Sequence, residues 1–331
     1  VVEEHVNQNG GGYKFSIRGL ATAKDGGGDI YYGHIQKAYD DVLPDATLNI
    51  VRMDTAGNML GYVTVVNQPK ALETDDRGYV YATSGYGIDV YSNDLASLAG
   101  GFTVSAVSNI EGMAIAREGD NYFLYATVRS AGQIVRYDVT NIANPVIDTD
   151  WAVNGICTVP TTSLRNAVVD MHGDIWLADK SSDTLYKIAA DGLSYDSVEI
   201  DDCMDVAVCS EYVYVSREDA NSSSIFQLDI NDMSFIQELV DPMVNTGYGS
   251  HYGLAGMDIL DGKLYVADED SWRIDGPGGY GDPLTSYGDI IYSVDIPSCG
   301  DSEQVPEPAT LVYAAVASLG LCSLVARRLK K

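Results

Sequence analysis

The stretch Gly173 to Gly192 (GDIWLADKSSDTLYKIAADG) constrains the fold more than any other feature of the chain. A Gly-Asp turn leads into a strand of alternating apolar and polar residues. A polar tight turn follows, and a second strand ends at another Asp-Gly turn. This is one β-hairpin, and the chain repeats it. Equivalent first strands begin at GDIYYG (Gly28), GYVYAT (Gly78), YFLYAT (Tyr122), EYVYVS (Glu211) and GKLYVA (Gly262). The steps between them average roughly 47 residues, the spacing of a four-stranded β unit packed beside its neighbours.

Six copies predict an all-β chain folded as a six-bladed β-propeller over residues 1–299, one domain although 331 residues could hold two. Blades one to five each supply four strand-like runs, such as SIRGLATA, GDIYYG, TLNIVRM and GYVTVV in blade one. Blade six supplies only LAGMDIL, GKLYVAD and DIIYSVDI. The N-terminal VVEEHV is therefore expected to pair with the strand near Asp289 to Ile296, because closing the ring removes exposed strand edges.

Charge narrows the partners. The formal net charge is -28, and removing the four basic residues and one acid that follow Gln304 leaves -31 for the body. Such a surface repels nucleic acid, so no nucleic-acid partner is expected. It suits either solubility in a cation-rich medium or collection of Ca²⁺, the one cofactor expected if there is any. Tyr outnumbers Phe by 23 to 5, a balance suited to half-exposed strands and contact surfaces. Cys157, Cys203, Cys209 and Cys299 lie in the body and Cys322 in the tail. None shows metal-type spacing, and Cys203 and Cys209 fall on one strand, too far apart to bridge each other.

The strings GDIWLADKSSDTLYKIAADG, GKLYVADEDSWRI and GYVYATSGYGIDVYSND resemble the repeats of the NHL and YWTD propellers. That resemblance implies the blade architecture and no particular activity.

Connection lengths point to one face. Links between the second and third strands, and between blades, open on one side of a propeller whose inner strand comes first. That side carries GHIQKAYDDVLPDA, VNGICTVPTTS, DPMVNTGYGSHYG and EDSWRIDGPGGYGDPLTSYG, while the other has short links such as DDRG and MHGD. Long loops on a rigid ring serve recognition or cap the channel. Their candidate ligand-binding residues are His34, Tyr39, Tyr248, His251, Tyr252, Trp272, Arg273 and Tyr280, with Asp40 and Asp41 beside them. Aromatics mixed with carboxylates and His suit a glycan, a protein surface or Ca²⁺. Neither DGGGD nor GPGGYG leads into a helix with a phosphate-loop Lys, so both are turns.

A second constellation falls where the inner strands begin: Arg18, Lys70, Glu111, Asn166 and Asp205. Glu111, Asn166 and Asp205 resemble in residue type the Glu, Asn and Asp set that calcium-dependent, gluconolactonase-like propeller hydrolases use to hold a divalent ion. That resemblance implies a catalytic and metal-binding role for the three. Arg18 and Lys70 in the same ring would repel a cation, and an alternating set of charges equally makes a salt-bridged plug. Pairing of Arg18 or Lys70 with Glu111 would favour the plug.

The tail carries the most specific signal. A linker at 300–310 contains Pro-Glu-Pro, an uncharged run covers 311–326, and Arg327, Arg328, Lys330 and Lys331 close the chain. Residues 311–331 are expected to form a single hydrophobic helix and basic tail. The order of parts resembles the PEP-CTERM sorting signal, with Val305, Pro306, Glu307 and Pro308 matching its motif. That resemblance implies export, transient membrane anchoring and an exosortase-type processing protease as partner. It also implies release to the cell surface or an extracellular, biofilm-type matrix, where a polysaccharide or surface protein would be met. The expected function is thus a non-enzymatic exported binding propeller, with a lactonase-like metal-dependent hydrolase as the alternative.

Overall fold

A computed structural model of the protein describes residues 13–38, 47–104, 109–161, 163–217, 224–240, 254–268, 290–296 and 312–314. Six antiparallel sheets account for its strands. Blade one comprises β1 (Tyr13–Thr22), β2 (Asp29–Ala38), β3 (Thr47–Asp54) and β4 (Met59–Val65). Blade two comprises β5 (Leu72–Thr74), β6 (Tyr79–Ser84), β7 (Gly87–Ser92) and β8 (Leu98–Thr103). Blade three has β9 (Ile110–Glu118), β10 (Asn121–Val128) and β11 (Gln133–Asp138), and two short strands share the edge of β11. These are β12 (Val146–Ile147) and β13 (Ile156–Thr158). Blade four is β14 (Leu164–Val169), β15 (Ile175–Asp179), β16 (Thr184–Ile188) and β17 (Tyr195–Glu199). Blade five is β18 (Cys203–Val208), β19 (Tyr212–Arg217), β20 (Ser224–Asp229) and β21 (Phe235–Val240). Blade six is β22 (Leu254–Leu260), β23 (Lys263–Asp268), β24 (Ile290–Asp295) and β25 (Val312–Ala314).

The six sheets form a closed six-bladed propeller. Inner strands touch in sequence order, and β22 returns to β1. The core is divided into six seams, one between each pair of neighbouring blades. Second strands are buried on both sides, which explains their unbroken apolar character. In β15, Ile175 and Leu177 pack toward blade three while Trp176 and Ala178 pack toward blade five. Tyrosine serves this core as well as the contact surfaces its abundance suggests. Tyr31, Tyr81, Tyr125 and Tyr214 are almost fully buried, and Tyr31 donates to the Asn93 carbonyl at 2.8 Å. A tyrosine thus fills a seam with a large ring while its hydroxyl reaches a polar partner at the rim.

The closing strand departs from expectation. VVEEHV lies outside the described residues, and the edge of β24 is occupied instead by Val312–Ala314, with Tyr292 opposite Tyr313. This segment belongs to the run expected to be helical, so the helix does not extend through these three residues. An unpaired edge presents a row of backbone donors and acceptors that a short β-prone stretch such as Val-Tyr-Ala satisfies. Side-chain ties also hold the first and last blades together: the Thr22 amide donates to Asp258 Oδ2 at 2.7 Å, and Leu20, Tyr32, Tyr265 and Ile291 share one apolar seam.

Two of the cysteines, Cys157 and Cys203, are buried free thiols, whereas Cys209 is disulfide-bonded. The partner of Cys209 lies outside the described residues.

Candidate functional site at the channel mouth

A β-bulge recurs in five inner strands, near the start of β9, β14, β18 and β22 and at Gly19 in the second half of β1. A bulge inserts one residue opposite none on the partner strand and re-aims its side chain. In β9 the extra residue is Glu111, between Ile110, opposite Val128, and Gly112, opposite Thr127. In β14 the irregularity spans Arg165 and Asn166. Close approach of the inner strands makes this geometry demanding: a Cβ on Gly112 would lie 2.2 Å from the Arg165 carbonyl oxygen.

Buried hydroxyls at the ends of second strands hold the bulges. Thr127 donates to the Arg165 carbonyl of the next blade at 2.9 Å, with the Gly112 carbonyl also in reach of the same hydroxyl at 3.2 Å. Ser216 accepts from the Asp205 amide and donates to the Leu254 carbonyl, again one blade on. Thr83 accepts from the Lys70 amide at 2.7 Å. These residues occupy matching places in YVYAT, YFLYAT and YVYVS, a repeated signal that the sequence reading passed over.

The re-aimed side chains build a charge network. The Glu111 side chain is 2% exposed. Lys70 pairs with its Oε1, Arg129 approaches the same oxygen at 3.4 Å, and Arg165 reaches Oε2 at 3.3 Å. Arg129 comes from the short turn after β10, where its amide donates to the Asn109 carbonyl. Arg165 is further tied beyond Glu111. Sequence spacing gave no sign of Arg129, because only the bulge and the turn bring positions 111 and 129 together.

Asp205 lies deeper and is occupied by the scaffold. Its carboxylate accepts from the Val206 amide at 2.8 Å and, across the blade boundary, from the Met257 amide at 2.7 Å. The Asn166 side chain donates to it as well. Burial pushes its carboxyl up to about 7, against the opposing pull of these donors. Asp258 repeats the arrangement one blade later, accepting from the amide of Thr22. Asp205 and Asp258 therefore act as cross-blade staples.

The fold thus brings together Asn166 and Asp205 but turns Glu111 to cations. A divalent ion at Glu111 would meet three positive side chains, so these residues do not fit a Glu-Asn-Asp metal cradle. Among the described residues no group of three or more His, Cys, Asp or Glu is placed to hold a metal ion. His34 is in β2 by its backbone, opposite Asn49, rather than in the connection that follows, since the alternation of His-Ile-Gln-Lys extends the strand. Arg18 lies in β1 opposite Gly33. Tyr39, Asp40, Asp41, Tyr248, His251, Tyr252, Trp272, Arg273 and Tyr280 lie outside the described residues. So do Val305, Pro306, Glu307, Pro308, Arg327, Arg328, Lys330 and Lys331.

On the opposite face a cleft opens between blades three and four, lined in part by Arg136, Trp151, Met171 and His172. Its guanidinium is already engaged: Arg136 pairs with Glu118 at 2.8 Å and Asp148 at 3.1 Å, and stacks 3.7 Å over the Phe123 ring.

No protein-family model matches the chain, and no curated protein matches it in sequence. Solved structures do match in shape. "Structure of U3-55K" superposes with a TM-score of 0.57 at 10% identity, covering 86% of this chain and 78% of that one. A putative 6-phosphogluconolactonase from Bacteroides uniformis gives 0.54 at 14% identity, with 90% and 86% covered. A streptogramin B lyase gives 0.52 at 9% identity, with 91% and 86% covered. At such identities the likeness extends to the propeller architecture, and the chemistry of this chain rests on its own residues.

Proposed function

We propose that the chain is an exported propeller that binds a ligand through the face bearing its long connections, and that residues 305–331 serve as a PEP-CTERM-like sorting signal. The observation that carries the reading is the grouping of connections. Three long connections, Ala38 to Thr47, Val240 to Leu254 and Asp268 to Ile290, leave the same face, from the adjacent blades five, six and one, while one long link, Asp295 to Val312, leaves the other. Long excursions clustered on one side of a rigid ring suit recognition of a glycan or protein surface. A disulfide at Cys209 suits an oxidising compartment outside the cytoplasm. Among the described residues no helix is long and apolar enough to cross a membrane. The anchor reading rests on the composition of 311–326, and the exosortase-type protease on the Pro-Glu-Pro match. In this reading Val312–Ala314 pairs with β24 when the tail is not in a membrane.

Binding is tested on a glycan array with the body and with a variant whose 269–289 connection is replaced by Gly-Ser of equal length. A discrete set of glycans bound by the first and lost in the second is expected. Equal binding by both would remove the long-connection face from recognition. Processing is tested by intact mass of the native protein: an end near Pro306 to Pro308 is expected, and retention of Lys331 would reduce the tail to an anchor.

The second reading, a divalent-metal-dependent hydrolase, keeps the Asn166–Asp205 contact but has against it the three cations at Glu111 and the two backbone amides on the Asp205 carboxylate. Lactone hydrolysis with Ca²⁺ that is abolished by chelation and by Asp205→Asn would establish it.

A further inference from the structure

We infer that the channel mouth is an oxyanion site for a small acidic sugar, held by Lys70 and Arg129 with Arg165 as a third wall. The inference deepens the binding reading above and rests on it. Charge arithmetic at one oxygen carries it. Lys70 and Arg129 both converge on Oε1 of Glu111, so two full positive charges share one carboxylate that also meets Arg165 at its other oxygen. At least one positive charge of the first pair has no counterpart in Glu111.

Depth assigns that surplus a direction. The Glu111 side chain is 2% exposed, whereas those of Lys70, Arg129 and Arg165 are 19%, 40% and 20% exposed. Among these four residues the carboxylate is the buried one and the cations are the exposed ones, so the charge they offer to solvent is positive. It sits on a chain of net charge -28. The three cations come from three separate parts of the fold: the segment entering blade two, the turn after β10 and the bulge of β14. Their placement is fixed by scaffold bonds: the Lys70 amide to Thr83, the Arg129 amide to Asn109, and Thr127 to the Arg165 carbonyl. Bringing like charges together in a half-buried ring is unfavourable unless an anion shares them, and Glu111 is an internal anion that serves when no ligand is present.

Size follows from the rest of the surface. A long polyanion would be repelled by the acidic body beyond the mouth, whereas one carboxylate on a small ring meets only the local positive field. Arg129 offers a planar fork suited to a carboxylate, and Lys70 a compact point charge.

The test is titration calorimetry of the full chain with galacturonate, galactose and inorganic phosphate at low ionic strength. Galacturonate is expected to bind at least about ten-fold more tightly than galactose or phosphate. Arg129→Gln alters a part-exposed side chain and is chosen to keep the fold. It and Lys70→Met are each expected to weaken galacturonate about ten-fold without changing galactose. Glu111→Gln removes the internal competitor and is expected to tighten galacturonate, an effect that a purely structural plug would not produce. Equal affinity for galacturonate and galactose, or no effect of Arg129→Gln, would overturn the site while leaving the long-connection face intact as a binding surface. Phosphate matching galacturonate would overturn the sugar-acid assignment. Failure of the glycan-array loop test would instead strike the underlying reading.

Discussion

The two faces of the ring use their charged residues differently. On the face of short turns, aspartates close the turns on themselves. Asp170 Oδ1 accepts the amides of His172 and Asp174 at 2.8 and 3.0 Å, and Oδ2 accepts from the Trp176 indole at 2.9 Å. Asp75 repeats the pattern with the amides of Arg77 and Tyr79, and Asp54 with those of Ala56 and Asn58. On the other face, cations from three parts of the fold converge on one buried carboxylate. Part of the acidity is therefore turn chemistry written once per hairpin. The net charge does not by itself make either face a cation-collecting surface, and it leaves the positive mouth as the local exception.

The largest expected effect breaks the mouth face. Gly112→Val would drive a side chain into the Arg165 backbone and should cost more than about 3 kcal/mol. Denaturant unfolding checks it, and a loss below about 1 kcal/mol would mean the inner strands yield easily. Next comes the turn face. Asp170→Ala leaves two amides and a buried indole N–H without their acceptor, a loss of about 2–3 kcal/mol. The same substitution should leave galacturonate binding unchanged, since the turn lies on the opposite face.

A pH titration sharpens the contrast further. Asp54, Asp94 and Asp232 are held below the usual carboxylate range, chiefly by side-chain hydrogen bonds. Their stabilisation is present above the unfolded carboxyl value of about 4 and fades as pH falls through their lower folded values. Asp205 and Glu73 behave oppositely. Burial pushes each up to about 7, with Lys24 pulling Glu73 back. For these two the stabilisation is complete below about 4 and lost as pH rises through about 7. The melting temperature should accordingly peak near pH 4–5, declining toward pH 8 and below pH 4. Asp205→Asn should remove roughly half of the decline above pH 5 and none of the acid limb. An unchanged upper limb would show that Asp205 is not the proton-linked group. The smallest effect is that of Ca²⁺ against chelator at matched ionic strength. Relief of diffuse self-repulsion should raise the midpoint by about 1–2 °C. A shift above about 5 °C would indicate a specific cation site instead.

The blade pattern was legible because each hairpin carries its own turn and strand signals, as in GDIWLAD and GKLYVAD. The alternation expected of this strand does not hold: Ile175-Trp176-Leu177-Ala178 is an unbroken apolar run because a neighbouring blade covers each side. The site was half legible. Lys70, Glu111, Asn166 and Asp205 could be placed by counting along repeats, but the bulge that lifts Glu111 out of register depends on contact with the next blade. Arg129 joins the site through a turn, and no local spacing announces it. Closure of blade six was not legible in composition, since pairing at an open edge is decided by reach and register: VVEEHV lies outside the described residues, and Val312–Ala314 pairs with β24.

Hydrogen–deuterium exchange with and without galacturonate tests the division between the faces most directly. The account predicts slower exchange at the mouth, in the Arg129–Ala131 turn and at the Arg165–Asn166 bulge, with no change in the turns closed by Asp75 and Asp170. Protection confined to the opposite face, around Glu118, Asp148 and His172 in the cleft between blades three and four, would contradict it.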